Sequence, residues 1–122
     1  MFKSVHPVCP VLDMKTHLVF WQSLGFQVVF SDANPPETSN YAGIARENIE
    51  IHLQTHAPEE LKGTQGMAIR VEMTDRQSLE TLYVEWITRV RITSPLMDKE
   101  WGTREFGFYD PAGFPFFFYV DR

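Results

Sequence analysis

Cysteine is almost missing from this chain: Cys9 stands alone, so no internal disulfide can staple the fold, and its apolar surroundings mark it as a small buried side chain. Long apolar runs are missing too. Nothing approaches the roughly 20 residues that span a bilayer, and the opening MFKSVHPVCPVLD lacks the apolar stretch of a signal peptide, so a cytoplasmic protein with no membrane partner is expected. Positive charge is scarce and unclustered. With a net charge of −5 the chain repels a nucleic-acid backbone on average, which argues against nucleic acid as a partner and favours a cationic ligand. Also lacking are a Gly-x-Ser-x-Gly elbow, a Gly-rich phosphate loop and an HExxH helix, so none of the usual nucleophile, phosphate or zinc-protease arrangements is offered.

What the chain does have is 43% hydrophobic and 22% charged residues over 122 positions, a balance that fits one globular domain around one core. Ten Phe, four Tyr and three Trp exceed what a small core needs, so some are expected to line a pocket or an interface. Residues 5–12 read as a strand. Asp13 then offers an N-cap, Met14, Leu18 and Trp21 recur at helical spacing, and Gly25 supplies the stop. Phe26–Phe30 reads as a strand, 31–39 with Pro35-Pro36 as a loop, and Tyr41–Arg46 with Ile49–Gln54 as a hairpin about Glu47-Asn48. After a polar connection at 55–65 the order repeats. Met67–Met73 alternates as a strand, Asp75 caps a helix with Leu79, Leu82, Tyr83, Trp86 and Ile87 on one face, and Val90–Thr93 follows. A loop runs to Trp101, and Thr103–Tyr109 and Phe114–Val120 flank an Asp110-Pro111-Ala112-Gly113 turn. The fold class is therefore α+β: two βαβββ modules, 1–57 and 64–122, within a single domain of residues 1–122. Each sheet covers one face with its helix and leaves the other open, which calls for curvature around a cleft or stacking on a partner.

The stretches PVLDMKTHLVFWQSLGF (10–26), YAGIARENIEIHL (41–53), LETLYVEW (79–86) and EWGTREFGFYDPAG (100–113) resemble the glyoxalase, bleomycin-resistance and dioxygenase proteins of the vicinal oxygen chelate superfamily. The last stretch, with the length and acidic balance, looks most like the bleomycin-resistance branch. That resemblance implies curved mixed sheets around a cleft, and a strand-swapped homodimer with two ligand clefts at its interface. It also implies a metal site with one side chain from each of four strands. Two positions fall on His6 and His52; the other two fall on Ala68, or Met67 if the register slips, and on Phe117, none of which is a plausible ligand. No functional metal and no cofactor are expected; if there is a metal, His6 and His52 are its ligands.

Strand alternation puts Glu50, His52 and Gln54 opposite the core-facing Ile49, Ile51 and Leu53. Phe117 and Tyr119 share the non-core face of the last strand, while Tyr41 opens the third and Trp101 leads into the seventh. Trp21, Trp86, Tyr83, Phe106, Phe108, Phe116 and Phe118 read as core. The candidate ligand-binding residues are thus His6, Tyr41, Glu50, His52, Arg70, Glu72, Trp101, Glu105, Phe117 and Tyr119, with Asp32 a further carboxylate for a cation. Their competing reading is plain structure: imidazoles as hydrogen-bonding groups, and carboxylates solvated or paired with Arg70 and Arg104. His17 and His56 read as surface or interface residues, and Pro115 as the mark of an edge or bulge. The expected function is non-catalytic capture of a planar, cationic small molecule or antibiotic, as in antibiotic resistance. The alternative is a metal-dependent enzyme of glyoxalase, dioxygenase or thiol-transferase type using His6 and His52.

Overall fold

Two aspartates start the two helices. In the computed structural model, which describes residues 1–64 and 66–122, β1 (Val8–Val11) leads through Asp13 into α1 (Met14–Ser23), followed by β2 (Gln27–Ser31), β3 (Tyr41–Arg46) and β4 (Ile49–Thr55). The Asp13 carboxylate accepts from the Thr16 backbone N–H at 3.3 Å and from the Thr16 hydroxyl, and Gly25 closes the helix at φ +88°, a left-handed conformation that favours glycine. The second unit repeats the order with β5 (Ile69–Glu72), α2 (Arg76–Trp86), β6 (Ile92–Asp98), β7 (Thr103–Tyr109) and β8 (Pro115–Asp121). Here Asp75 accepts from the Ser78 N–H at 2.7 Å.

The chain divides into two compact units, Met1–Gln65 and Gly66–Arg122. Each holds one mixed four-stranded sheet, ordered β1-β4-β3-β2 in the first and β5-β8-β7-β6 in the second, with the first strand parallel to the last and the rest antiparallel. In the first unit α1 buries Met14, His17, Leu18 and Trp21, and the strands bury Val11, Ile44, Ile51 and Leu53. The second unit has an aromatic core. Trp86 of α2 meets Phe118, Phe108 and Phe106 edge-on at 4.9, 5.7 and 6.1 Å between ring centroids, and Phe106 and Phe108 stack on Phe118. Cys9 is buried.

Several local expectations change. His17 is not a surface residue: it is 1% exposed, and its Nδ1 bonds the Asp13 carbonyl at 3.1 Å, because it shares the inner stripe of α1 with Leu18 and Trp21. Residues 94–98, expected in a loop, belong to β6, whose pairing with β7 shifts register between Ile92 and Ser94 and between Ser94 and Met97. The strand tolerates Pro95 because the interrupted ladder asks no N–H of it. Pro115 marks no edge; it is the first residue of β8, which lies between β5 and β7. Ile87 caps the end of α2 and stays 48% exposed, off the inner face. The loops at 31–40 and 55–65 carry short 3-10 turns at Pro36–Thr38 and Pro58–Thr64, and residue 65 lies outside the described residues. Among the described residues no helix is long and apolar enough to cross a membrane.

Replacing Trp86 by Ala removes the ring on which the second core is assembled, and is expected to cost about 3–5 kcal/mol in urea denaturation. Asp75→Ala, which removes only the cap, is expected to cost about 1 kcal/mol.

Candidate functional site

The open face of the first sheet is set by the β3–β4 register. Gly43 lies opposite His52, Ala45 opposite Glu50 and Tyr41 opposite Gln54, so these side chains project away from the buried Ile44, Ile51 and Leu53. The Tyr41 hydroxyl donates to His52 Nδ1 at 2.9 Å, and His52 Nε2–H donates to Glu50 Oε2 at 2.8 Å. His6, in the extended segment ahead of β1, stacks on His52 at 4.9 Å. Its Nδ1–H donates to the Glu50 carbonyl at 3.4 Å, its Nε2 accepts from the Ser4 hydroxyl at 3.0 Å, and the same Nε2 lies 3.7 Å from Glu50 Oε2. The hydrogen bond from His52 outweighs the opposing effect of burial and, with lesser electrostatic help from His6, His52 and Lys3, holds the Glu50 carboxyl below the usual range.

Phe30 completes this face, and strand alternation alone would have missed it. Counting by twos from Val28 puts Phe30 toward the core, but β2 shifts register between these residues, so Val28 pairs with the buried Ile44 and Phe30 with Gly43. The ring then lies over the glycine: a Cβ on Gly43 would come within 2.1 Å of Phe30 Cε2. Phe30 meets His52 edge-on at 4.9 Å and stacks near Tyr41 at 6.0 Å.

The second sheet has a parallel device and a different chemistry. Gly107 of β7 pairs with Phe117 of β8, and a Cβ on it would lie 2.6 Å from Phe117 Cδ1. Arg70 reaches across β8, with its guanidinium carbon 4.4 Å from the Tyr119 ring centre and 5.9 Å from that of Phe117. It ends on Glu105, at 2.8 Å from Nη2 to Oε2 and 3.4 Å from Nη1 to Oε1. The Thr103 hydroxyl donates to Glu105 Oε2 at 2.7 Å, and the Tyr119 hydroxyl donates to Glu72 at 3.3 Å. Glu105 is only 2% exposed. Burial pushes its carboxyl up, but hydrogen bonds from Arg70, Thr103 and Trp101 and the charge of Arg70 outweigh that and hold it below the usual range.

Each unit therefore gathers its own candidates: His6, Tyr41, Glu50 and His52 in the first, Arg70, Glu72, Trp101, Glu105, Phe117 and Tyr119 in the second. Glu105 carries its own cation, as the structural alternative held, so it offers little to a foreign one. Arg104 pairs with none of the three candidate carboxylates; it bonds Glu80 at 3.2 Å and Asp98 at 3.1 Å. Asp32 is occupied as a loop clasp, accepting from the Asn40 N–H at 2.9 Å. His56 bonds Glu60 at 3.3 Å, and Trp101 is 62% exposed with the Lys99 ammonium 5.6 Å from its ring centre. Thr103 was not among the residues singled out in the sequence, since a strand-opening threonine carries no pattern of its own.

A metal held by four strands does not fit these residues. Ala68 and Met67 precede β5 and are exposed, and Phe117 on β8 carries no donor atom.

No family model and no curated protein matches the chain. Solved structures do. A bleomycin-binding protein from bleomycin-producing Streptomyces verticillus, complexed with copper(II)-bleomycin, is 25% identical and covers 100% of both chains with a TM-score of 0.74. A bleomycin-binding protein complexed with bleomycin is 19% identical, covers 99% of this chain and 100% of its own, and has a TM-score of 0.77. A glyoxalase/bleomycin resistance protein/dioxygenase from Alicyclobacillus acidocaldarius is 13% identical over 98% of this chain and 91% of its own, with a TM-score of 0.79. The chain has the fold of these proteins, and the matches support the vicinal oxygen chelate superfamily near its bleomycin-resistance branch.

The Arg70–Glu105 pair makes a checkable stability claim. Because Glu105 binds its proton at a lower pH in the folded chain than unfolded, its stabilisation is complete above the usual carboxylate range and is lost as pH falls through the lowered value. Arg70→Met strands a buried carboxylate and is expected to cost about 1–3 kcal/mol at pH 7. The loss should shrink in urea denaturation at acid pH, and adding Glu105→Gln should recover part of it.

Proposed function

We propose that the chain binds a planar, cationic small molecule without transforming it, in the manner of a bleomycin-resistance protein, in a cleft at a homodimer interface. One observation carries this reading: each sheet seats an aromatic ring against a glycine on its open face, Phe30 against Gly43 and Phe117 against Gly107. Stacking of an aromatic ring on a flat heteroaromatic ligand contributes about 0.5–1.5 kcal/mol per contact beyond burial. Glu50 is two residues along its strand from His52, and Glu72 pairs with Tyr119, while the net charge of −5 draws cations from a distance. The two bleomycin-binding relatives support the choice of ligand class. The competing reading, a metal-dependent enzyme with ligands on four strands, is opposed by Ala68 and Phe117 at two of its positions.

Calorimetric titration with metal-free bleomycin, copper(II)-bleomycin and other planar cationic antibiotics tests the proposal. Saturable binding is expected for at least one, weakened about tenfold by Phe117→Ala and by Phe30→Ala, with the ligand recovered unchanged by mass spectrometry. Absence of binding across the panel, or conversion of the ligand, refutes it.

A further inference from the structure

We propose that the Tyr41 hydroxyl is a nucleophile that takes an acyl group from an activated aryl ester, with His52 as its general base and Glu50 as the residue that positions His52. The site is held by one unit alone and is independent of the small-molecule reading. A nucleophilic side chain is marked by a base within hydrogen-bond reach and by a third group that orients the base. Here the Tyr41 hydroxyl lies 2.9 Å from His52 Nδ1, and His52 Nε2 lies 2.8 Å from Glu50 Oε2. An ionised carboxylate can only accept, so Glu50 keeps the ring proton on Nε2 and leaves the Nδ1 lone pair turned to the phenol proton.

The hairpin register makes this contact. Tyr41 and His52 are diagonal neighbours on one face of β3 and β4, because Tyr41 pairs with Gln54 and His52 with Gly43. Gly43 has no side chain to stand between them. Three rings then hold the imidazole in place: His6 stacks on it at 4.9 Å, and Phe30 and Tyr41 meet it edge-on at 4.9 and 5.5 Å. Base and phenol come from different strands, so no short motif announces the pair.

In the step, the Tyr41 oxygen bonds to the acyl carbon as the bond from that carbon to the aryloxy group breaks, and the aryloxy group leaves with the bonding pair. The phenol proton passes to His52 Nδ1 and from there to the leaving group, so the ring ends neutral and Tyr41 carries the acyl group. Phe30 sets the substrate class. It is 40% exposed and stacks near Tyr41 at 6.0 Å, which offers an aromatic leaving group a surface that an alkyl ester would not use. Tyr109 is the natural comparison: it is 54% exposed and, among the described residues, bonds no imidazole.

The experiment treats the full chain, in the presence of chelator, with para-nitrophenyl acetate and follows acetylation of each tyrosine peptide over time by mass spectrometry. Tyr41 is expected to react at least about tenfold faster than Tyr109 in the same molecule. His52→Ala should bring Tyr41 down to the rate of Tyr109, and Glu50→Ala should slow it about tenfold, while Glu50→Gln, whose amide oxygen still accepts from Nε2, should keep part of the rate. The Tyr109 rate, unchanged in each variant, reports that the fold is intact. Tyr41 reacting no faster than Tyr109, Tyr41 reacting at full rate in His52→Ala, or nitrophenolate released as fast by Tyr41→Phe as by the parent chain overturns the proposal.

Discussion

The register of β3 against β4 governs everything proposed for the first unit. With Gly43 across from His52 and Ala45 across from Glu50, the hairpin sends Ile44, Ile51 and Leu53 to the helix side and the imidazole and carboxylate to the other. A slip of one residue would exchange the two sets, burying charge and exposing the aliphatic row, and that penalty pins the register. The site is thus positioned by the hydrophobic core behind it. The parallel pairing of β1 with β4 then brings the start of the chain alongside, where His52 N–H bonds the Pro7 carbonyl at 2.9 Å and sets His6 beside its partner.

Most of this was legible from alternation and caps. Asp13, Asp75 and Gly25 act as read, Tyr41–Arg46 and Thr103–Tyr109 are strands over those residues, and the parity of Ile49–Gln54 put Glu50 and His52 together in advance. What could not be read came from departures from strict period. The register shift in β2 turned Phe30 outward, and β6, whose pairing shifts register twice, runs on through Pro95 where a loop was expected. Nor does periodicity rank partners. Arg70, Glu72 and Glu105 all shared a face by count, but only the reach of the arginine across β8 decides that it neutralises Glu105 and rests on Tyr119.

The two units use one architecture for unlike chemistry. In the first, Tyr41, His52 and Glu50 form a half-buried hydrogen-bonded chain. In the second, a buried carboxylate is already satisfied by a guanidinium that is itself flat, positive and stacked on an aromatic ring. The second face thus holds, in one of its own side chains, the kind of group proposed for the ligand.

The glycines beneath Phe30 and Phe117 tie two positions on different strands into one volume. At Gly43 bulk can be moved but not added, since a methyl group gained on β3 must be matched by a smaller residue at Phe30; at Gly107 it would also meet the Phe116 carbonyl oxygen at 2.8 Å, which no smaller ring relieves. Tolerated changes at Gly43 should therefore come paired with a change at Phe30, whereas at Gly107 the backbone itself must yield before any side chain fits.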